Sequence, residues 1–152
     1  MPLVDHSSDP TDLATAKVVL DTVPPLMRAI REHMREGRPA GISIPQFRAL
    51  VYIRRRPGTD LSAVAEHLGT SLPAASELIA RLVRTGLVER TADPSSRRRM
   101  RLSLTPAGAG QLDGAEARTV AWIAERLADV DGSRLRAIRT ALEELAGLLS
   151  EG

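Results

Sequence analysis

Cysteine is absent from all 152 residues. That excludes a disulfide framework, a thiolate metal site and a cysteine redox switch. Aromatic residues make up only 2% of the chain, as Phe47, Tyr52 and Trp122. The core must then be aliphatic and alanine-rich, which favours closely packed helices. No run approaches the ~20 apolar residues of a membrane span, so no membrane partner is expected. The opening MPLVDHSSDP has no basic stretch leading into an apolar one, which argues against a secretory signal and for a cytoplasmic location. The histidines are His6, His33 and His67. None pairs with another at helical i, i+4 spacing or sits in a carboxylate cluster, so no metal site is expected. Ser62, Ser71 and Ser76 lack a G-x-S-x-G setting, and no G-x-x-x-x-G-K-[ST] phosphate loop occurs. Neither a cofactor nor an enzymatic activity is expected.

The length suits a single domain with a real core. Net charge is only +2, but it is unevenly placed. Between Arg81 and Arg101 seven arginines face only Glu89 and Asp93, a local +5 against −3 for the rest. Lys17 is the only lysine. One segment thus carries the positive field, the footprint of a polyanion-binding surface. The plainer alternative is a solvated arginine-rich surface.

Residues 1–9 are polar, and disorder is expected there. From Leu13 the apolar positions Ala16, Leu20, Val23, Met27, Ile30 and Met34 follow in alternating steps of three and four, the seam of one helix against another. Pro24-Pro25 interrupts the pattern, predicting a helix over 11–22, a break, and a helix over 25–36. The loop GRPAG follows. A helix over 45–56 places Phe47, Leu50, Val51 and the Arg54 stem on one face, and Arg54-Arg55-Arg56 suit its negative C-terminus. Pro57-Gly58 ends it. Asp60 or Ser62 can cap a helix over 62–68 with Leu61, Val64, Ala65 and Leu68 inward. Gly69 supplies a helix stop and Ser71 a new cap within three residues. The next helix, 72–85, tolerates Pro73 in its first turn and buries Ala75, Leu78, Ile79 and Leu82.

Leu87–Thr91 and Arg99–Leu104 alternate around the turn formers Asp93-Pro94-Ser95-Ser96 and read as a β-hairpin. Thr105 and Pro106 begin a long helix to about Leu127. Asp131-Gly132-Ser133 breaks it before a last helix carrying Leu135, Ile138, Leu142, Leu145 and Leu149. Two short helices joined by a tight glycine turn make a helix-turn-helix. A hairpin directly after makes it a winged helix. The expected fold class is mainly α with a small β-hairpin wing. Dimerisation helices (11–37 and 106–150) would flank a DNA-binding lobe (44–105) with a recognition helix (72–85) and a wing (87–104) in one domain, 1–152. Winged helices also serve as protein-interaction modules, so such a module without operator affinity is the alternative.

The stretch LSAVAEHLGTSLPAASELIARLVRTGLVERTADPSSRRRMRLSLTPAG resembles the MarR family of bacterial transcriptional regulators. The resemblance rests on Val64-Ala65 and Leu68-Gly69, on Arg81-Leu82 and Gly86-Leu87-Val88, on Arg97-Arg98, and on Leu104-Thr105-Pro106-Ala107-Gly108. It implies a homodimer with interleaved terminal helices, two recognition helices in successive major grooves of a pseudo-palindromic operator on double-stranded DNA, and wing arginines in the flanking minor grooves. Many members are repressors released by small aromatic or lipophilic effectors. The DNA-contacting residues would be Ser71, Pro73, Ala74, Ser76, Glu77 and Arg81 on the recognition helix, and Arg97, Arg98 and Arg99 on the wing. An effector pocket would be lined by Met27, Met34, Phe47 and Trp122 with His33 or Arg48 as polar anchors. As a competing role, Trp122 would pack in the dimer interface. Two departures stand out. Ser96 occupies the place of an Asp that braces the wing arginine, a role Asp93 could assume. Pro73, Ala74 and Glu77 replace polar or basic readers, so readout is expected to lean on backbone contacts and minor-groove shape.

Overall fold

Asp9 opens the first helix, α1 (Pro10–Glu36), by accepting from the Thr11 amide. The computed structural model describes residues 9–150, so most of the polar stretch expected to be disordered lies outside the described residues. Helix α1 runs unbroken through Pro24 and Pro25, which corrects the predicted break. The prolines cannot donate to the carbonyls of Leu20 and Asp21. Both of those residues are exposed, so water can satisfy the freed carbonyls. A φ fixed near −65° also suits a helix interior as well as a helix start.

Helix α2 (Ile44–Arg55) starts on a capping box in which Ser43 and Gln46 satisfy each other's amides. It buries Phe47, Ala49, Leu50 and Ile53. Val51 is only half-buried, and Arg54 turns toward acidic partners on a later helix. Helix α3 (Leu61–Leu68) is capped by Asp60 rather than Ser62. Gly69 ends it in the left-handed region at φ +66°, where a side chain would be strained. The Thr70 amide then reaches back to the Ala65 carbonyl at 3.0 Å. Helix α4 (Leu72–Arg84) begins two residues later on Ser71.

Strands β1 (Val88–Asp93) and β2 (Ser96–Leu104) pair antiparallel. Both reach further toward the tip than the alternation predicts. Helix α5 (Pro106–Leu127) and helix α6 (Gly132–Ser150) complete the chain. The core joins Leu50 and Ile53 of α2, Val64 of α3, Ile79 and Leu82 of α4, Val88 and Leu102 of the hairpin, and Leu112 of α5. Apart from Phe47 it is aliphatic, as the scarcity of aromatics requires. Helices α1 and α6 bury no residue within the single chain.

Candidate nucleic-acid interface

Helix α4 is amphipathic: Ala75, Ile79 and Leu82 are buried, whereas Ser71, Pro73, Ala74, Glu77 and Arg81 are exposed. The Ser71 hydroxyl accepts from the Ala74 amide at 3.3 Å, leaving its O–H free to donate outward. Pro73 and Ala74 offer only apolar surface. Glu77 Oε1 accepts from Arg81 Nη2 at 3.2 Å, one turn apart, and the two charges largely offset each other. The exposed face therefore carries few free hydrogen-bonding groups. Ser76 is half-buried and, with Leu61, Arg90, Met100 and Leu102, lines a groove of about 110 Å³ between α4 and the hairpin. This groove sets the first motif helix, the recognition-helix candidate and the wing side by side.

The hairpin is regular from Val88 opposite Leu104 to Ala92 opposite Met100. Then Asp93 pairs with Ser96. Arg97, Arg98 and Arg99 thus face no residue on β1, a three-residue insertion in one strand. All three are exposed, and among the described residues none has a carboxylate at ion-pair distance. Asp93 fixes the turn beneath them. Its Oδ1 accepts from the Ser95 amide at 2.9 Å, the Ser95 hydroxyl at 2.7 Å and Arg101 Nη2 at 3.1 Å. Ser95, through its amide and then its hydroxyl, and next Arg101, hold the Asp93 carboxyl below the usual carboxylate value. Asp93 therefore braces Arg101 and the turn rather than Arg98. Sequence alone could not choose between those arginines, because the insertion that separates them is invisible in the alternation.

The wing is tied to the lobe at its base. Thr59 forms an isolated bridge with Leu102, which extends the hairpin toward α2. Thr105 donates its hydroxyl to the Gly86 carbonyl and accepts from the Gly108 amide. Gly108 sits against the backbone of Leu87, and a Cβ there would lie 2.1 Å from the Leu87 carbonyl oxygen.

The expected effector-pocket residues take several places. Phe47 is core, and Met34 packs against that core. Trp122 is half-buried, stacked on His33 with centroids 4.5 Å apart and covered by the Arg126 guanidinium at 4.1 Å. His33 Nδ1 meets the buried Thr119 hydroxyl at 3.2 Å. Arg48 points elsewhere and donates to the His67 carbonyl of α3, which removes it from the proposed anchors. A separate groove of about 190 Å³ is lined by Ala40, Ile42, Gln46, Leu82, Thr85 and Gln111, none of which the sequence singles out for a ligand. Arg54 pairs with Asp113 and Glu116 of α5, a long-range contact with no local sequence signal. Among the described residues no cluster of His, Asp and Glu could hold a metal ion, and no helix is long and apolar enough to cross a membrane.

A MarR family model matches residues 40–99, which run from just before α2 to the wing arginines. The HTH-type transcriptional repressor Rv2887 of Mycobacterium tuberculosis is 30% identical over 107 residues, 70% of this chain and 77% of that protein. The chain belongs to the MarR family. As a MarR-family protein it is a helix-turn-helix transcriptional regulator, and its fold agrees. The transcriptional regulator Tm0710 from Thermotoga maritima superposes with a TM-score of 0.71 at 25% identity, over 86% of this chain and 96% of that one. A mutant of S. aureus MepR, solved bound to an oligodeoxyribonucleotide, gives 0.60 at 17% identity, over 84% and 94%. Leu104–Gly108, which carries part of the resemblance read from the sequence, falls on the joint where the hairpin meets α5.

Proposed function

We propose that this regulator is a repressor that binds a pseudo-palindromic operator as a homodimer. One winged lobe (44–105) addresses each half-site, and helices 11–37 and 106–150 join the two copies. The observation that carries the reading is the insertion of Arg97, Arg98 and Arg99 at the tip of a wing that lies beside the exposed face of α4. Like charges held together repel in the free protein. A narrow minor groove concentrates negative potential and offsets that repulsion. Arg98 is assigned to the groove, Arg97 and Arg99 to phosphates. On α4 the contacts fall to Ser71, Pro73, Ala74, Ser76, Glu77 and Arg81, with Ala74 or Pro73 against a thymine methyl and Glu77 accepting from a cytosine amine. The DNA in the MepR structure and the repressor name of Rv2887 support the same reading. A small aromatic or lipophilic effector would act between the dimer helices and the DNA-binding lobe.

The test is a salt titration of variants on operator and on random DNA. Arg97→Ala should weaken binding evenly on all sequences and flatten the slope of log K against log salt by about 0.9 per phosphate released. Arg98→Ala should cost roughly 1–3 kcal/mol and reduce the preference for A·T-rich flanks. Parent-like affinity and slope in both variants would make the wing a charged turn and favour a winged helix that binds protein.

A further inference from the structure

A second positive surface lies outside the wing and α4. On α2 and at its C-cap, Arg48, Tyr52 and Arg56 recur every four residues, with Arg55 beside them. Tyr52 stacks on His67 of α3, with centroids 4.3 Å apart and planes 20° from parallel. The Arg56 guanidinium stands 5.5 Å from the Tyr52 ring centre. Arg48 Nη2 donates to the His67 carbonyl at 3.3 Å. Arg48, Arg55, Arg56 and His67 are all exposed. Among the described residues none has a carboxylate at ion-pair distance, unlike neighbouring Arg54. The negative helix C-terminus accounts for Arg55 but not for Arg48, which lies one turn from the start of α2. The cluster is self-repelling, and an anion would relieve it.

Its position selects the anion. His67 lies four residues before Ser71, hence no more than about 14 Å from the start of α4. A major groove is only ~12 Å wide. At the other end, the Gly58 amide, two residues past Arg56, donates to the Leu102 carbonyl at 2.9 Å, at the base of the wing. The cluster thus adjoins both elements assigned to DNA. We propose that Arg48, Arg55, Arg56 and His67 bind backbone phosphates of the duplex beyond the segment covered by α4 and the wing, which lengthens the footprint of each lobe. This rests on the DNA-binding reading above.

The surface also has a proton signature. Partial burial, then the charges of Arg48, Arg56 and Arg55, hold the His67 pKa below its ordinary value near 6.5. Those groups and Tyr52 face it from α2, and Glu66 adjoins it on its own helix. The hairpin and α4 also pack on α3 but add no charge that acts on it. A phosphate beside the imidazole reverses the balance, so His67 takes up a proton on binding. Affinity should then rise as pH falls from about 8 to 6, by at most about tenfold per pH unit per proton taken up.

The experiment is fluorescence anisotropy of the full chain with mixed-sequence duplexes of about 16 and about 40 bp, over a salt series at each pH. With the long duplex, Arg55→Ala/Arg56→Ala should flatten the salt slope by about 0.9 for each phosphate no longer neutralised, and with the short duplex by much less. Arg55→Glu makes the same test at a side chain with no hydrogen bond to lose. His67→Gln should abolish the pH dependence. Thermal melts confirm that each variant is folded. Parent-like slopes and pH dependence on the long duplex in all three variants would overturn the inference. So would equal competition by poly-glutamate at this surface, which would assign it to an acidic protein. If the parent binds neither duplex, the DNA reading itself fails. If the parent binds both and only the cluster variants are silent, this inference alone fails.

Discussion

Gly108 needs no unusual backbone torsion, yet no larger residue fits where it stands. Helix α5 comes so close to the Leu87 carbonyl that an added methyl would overlap backbone, which cannot rotate aside. Gly108→Ala should cost about 1–3 kcal/mol in urea unfolding as the hairpin and helix are forced apart. Gly110→Ala, two residues along the same helix with open space around it, should instead be neutral or stabilising by up to ~1 kcal/mol. An equal response at both sites would show that the close approach is not what selects glycine. The motif ending in Gly108 is legible in the sequence as a family signature, but its reason is not. That reason is a contact between residues 21 positions apart in the chain. The roles of Arg54 and Arg48 are hidden from sequence for the same cause, since their partners sit on other helices.

The elements that sequence places well are those closed by local chemistry. Asp60, Ser71 and Thr105 each cap a helix with a hydrogen bond to an amide three residues on, and such bonds are written in adjacent residues. The exception is α1, where a strong local rule loses to its surroundings. Two prolines inside a helix cost about 3 kcal/mol each by propensity. Here solvent reaches the freed carbonyls and the apolar seam continues on both sides. Pro24→Ala restores one backbone hydrogen bond and gives back roughly 0.4–1 kcal/mol of unfolded-chain entropy, so it should raise the thermal midpoint by the equivalent of about 2 kcal/mol. A lower midpoint would mean that the prolines themselves make contacts across a helix pair.

At the scale of the molecule, the question is what covers α1 and α6. Leu13, Leu20, Leu148 and Leu149 are each more than half exposed in the single chain, and neither helix buries a residue. At about 25 cal/mol per Å², covering such surface is a strong drive to associate. Sedimentation at micromolar concentration should give a dimer, and a monodisperse monomer would refute it. A dimer would also set the spacing of the two lobes, which must match half-sites about one helical turn, ~34 Å, apart or a multiple of it. The chain has no thiol. Peroxide at levels that trip thiol switches should leave DNA binding unchanged, since only slower methionine oxidation is open to it. Release from DNA that dithiothreitol reverses would contradict this.

The arginine insertion has an evolutionary side. In a regular ladder, gaining or losing one residue turns every later side chain to the opposite face, which here would expel Leu102 from the core. Arg97, Arg98 and Arg99 answer to no residue on the facing strand. A codon gained or lost among them leaves the pairing from Met100 to Leu104 untouched. Related genes are then free to lengthen or shorten the wing tip without disturbing the core. Loop length in this one place should diverge among copies long before the core does.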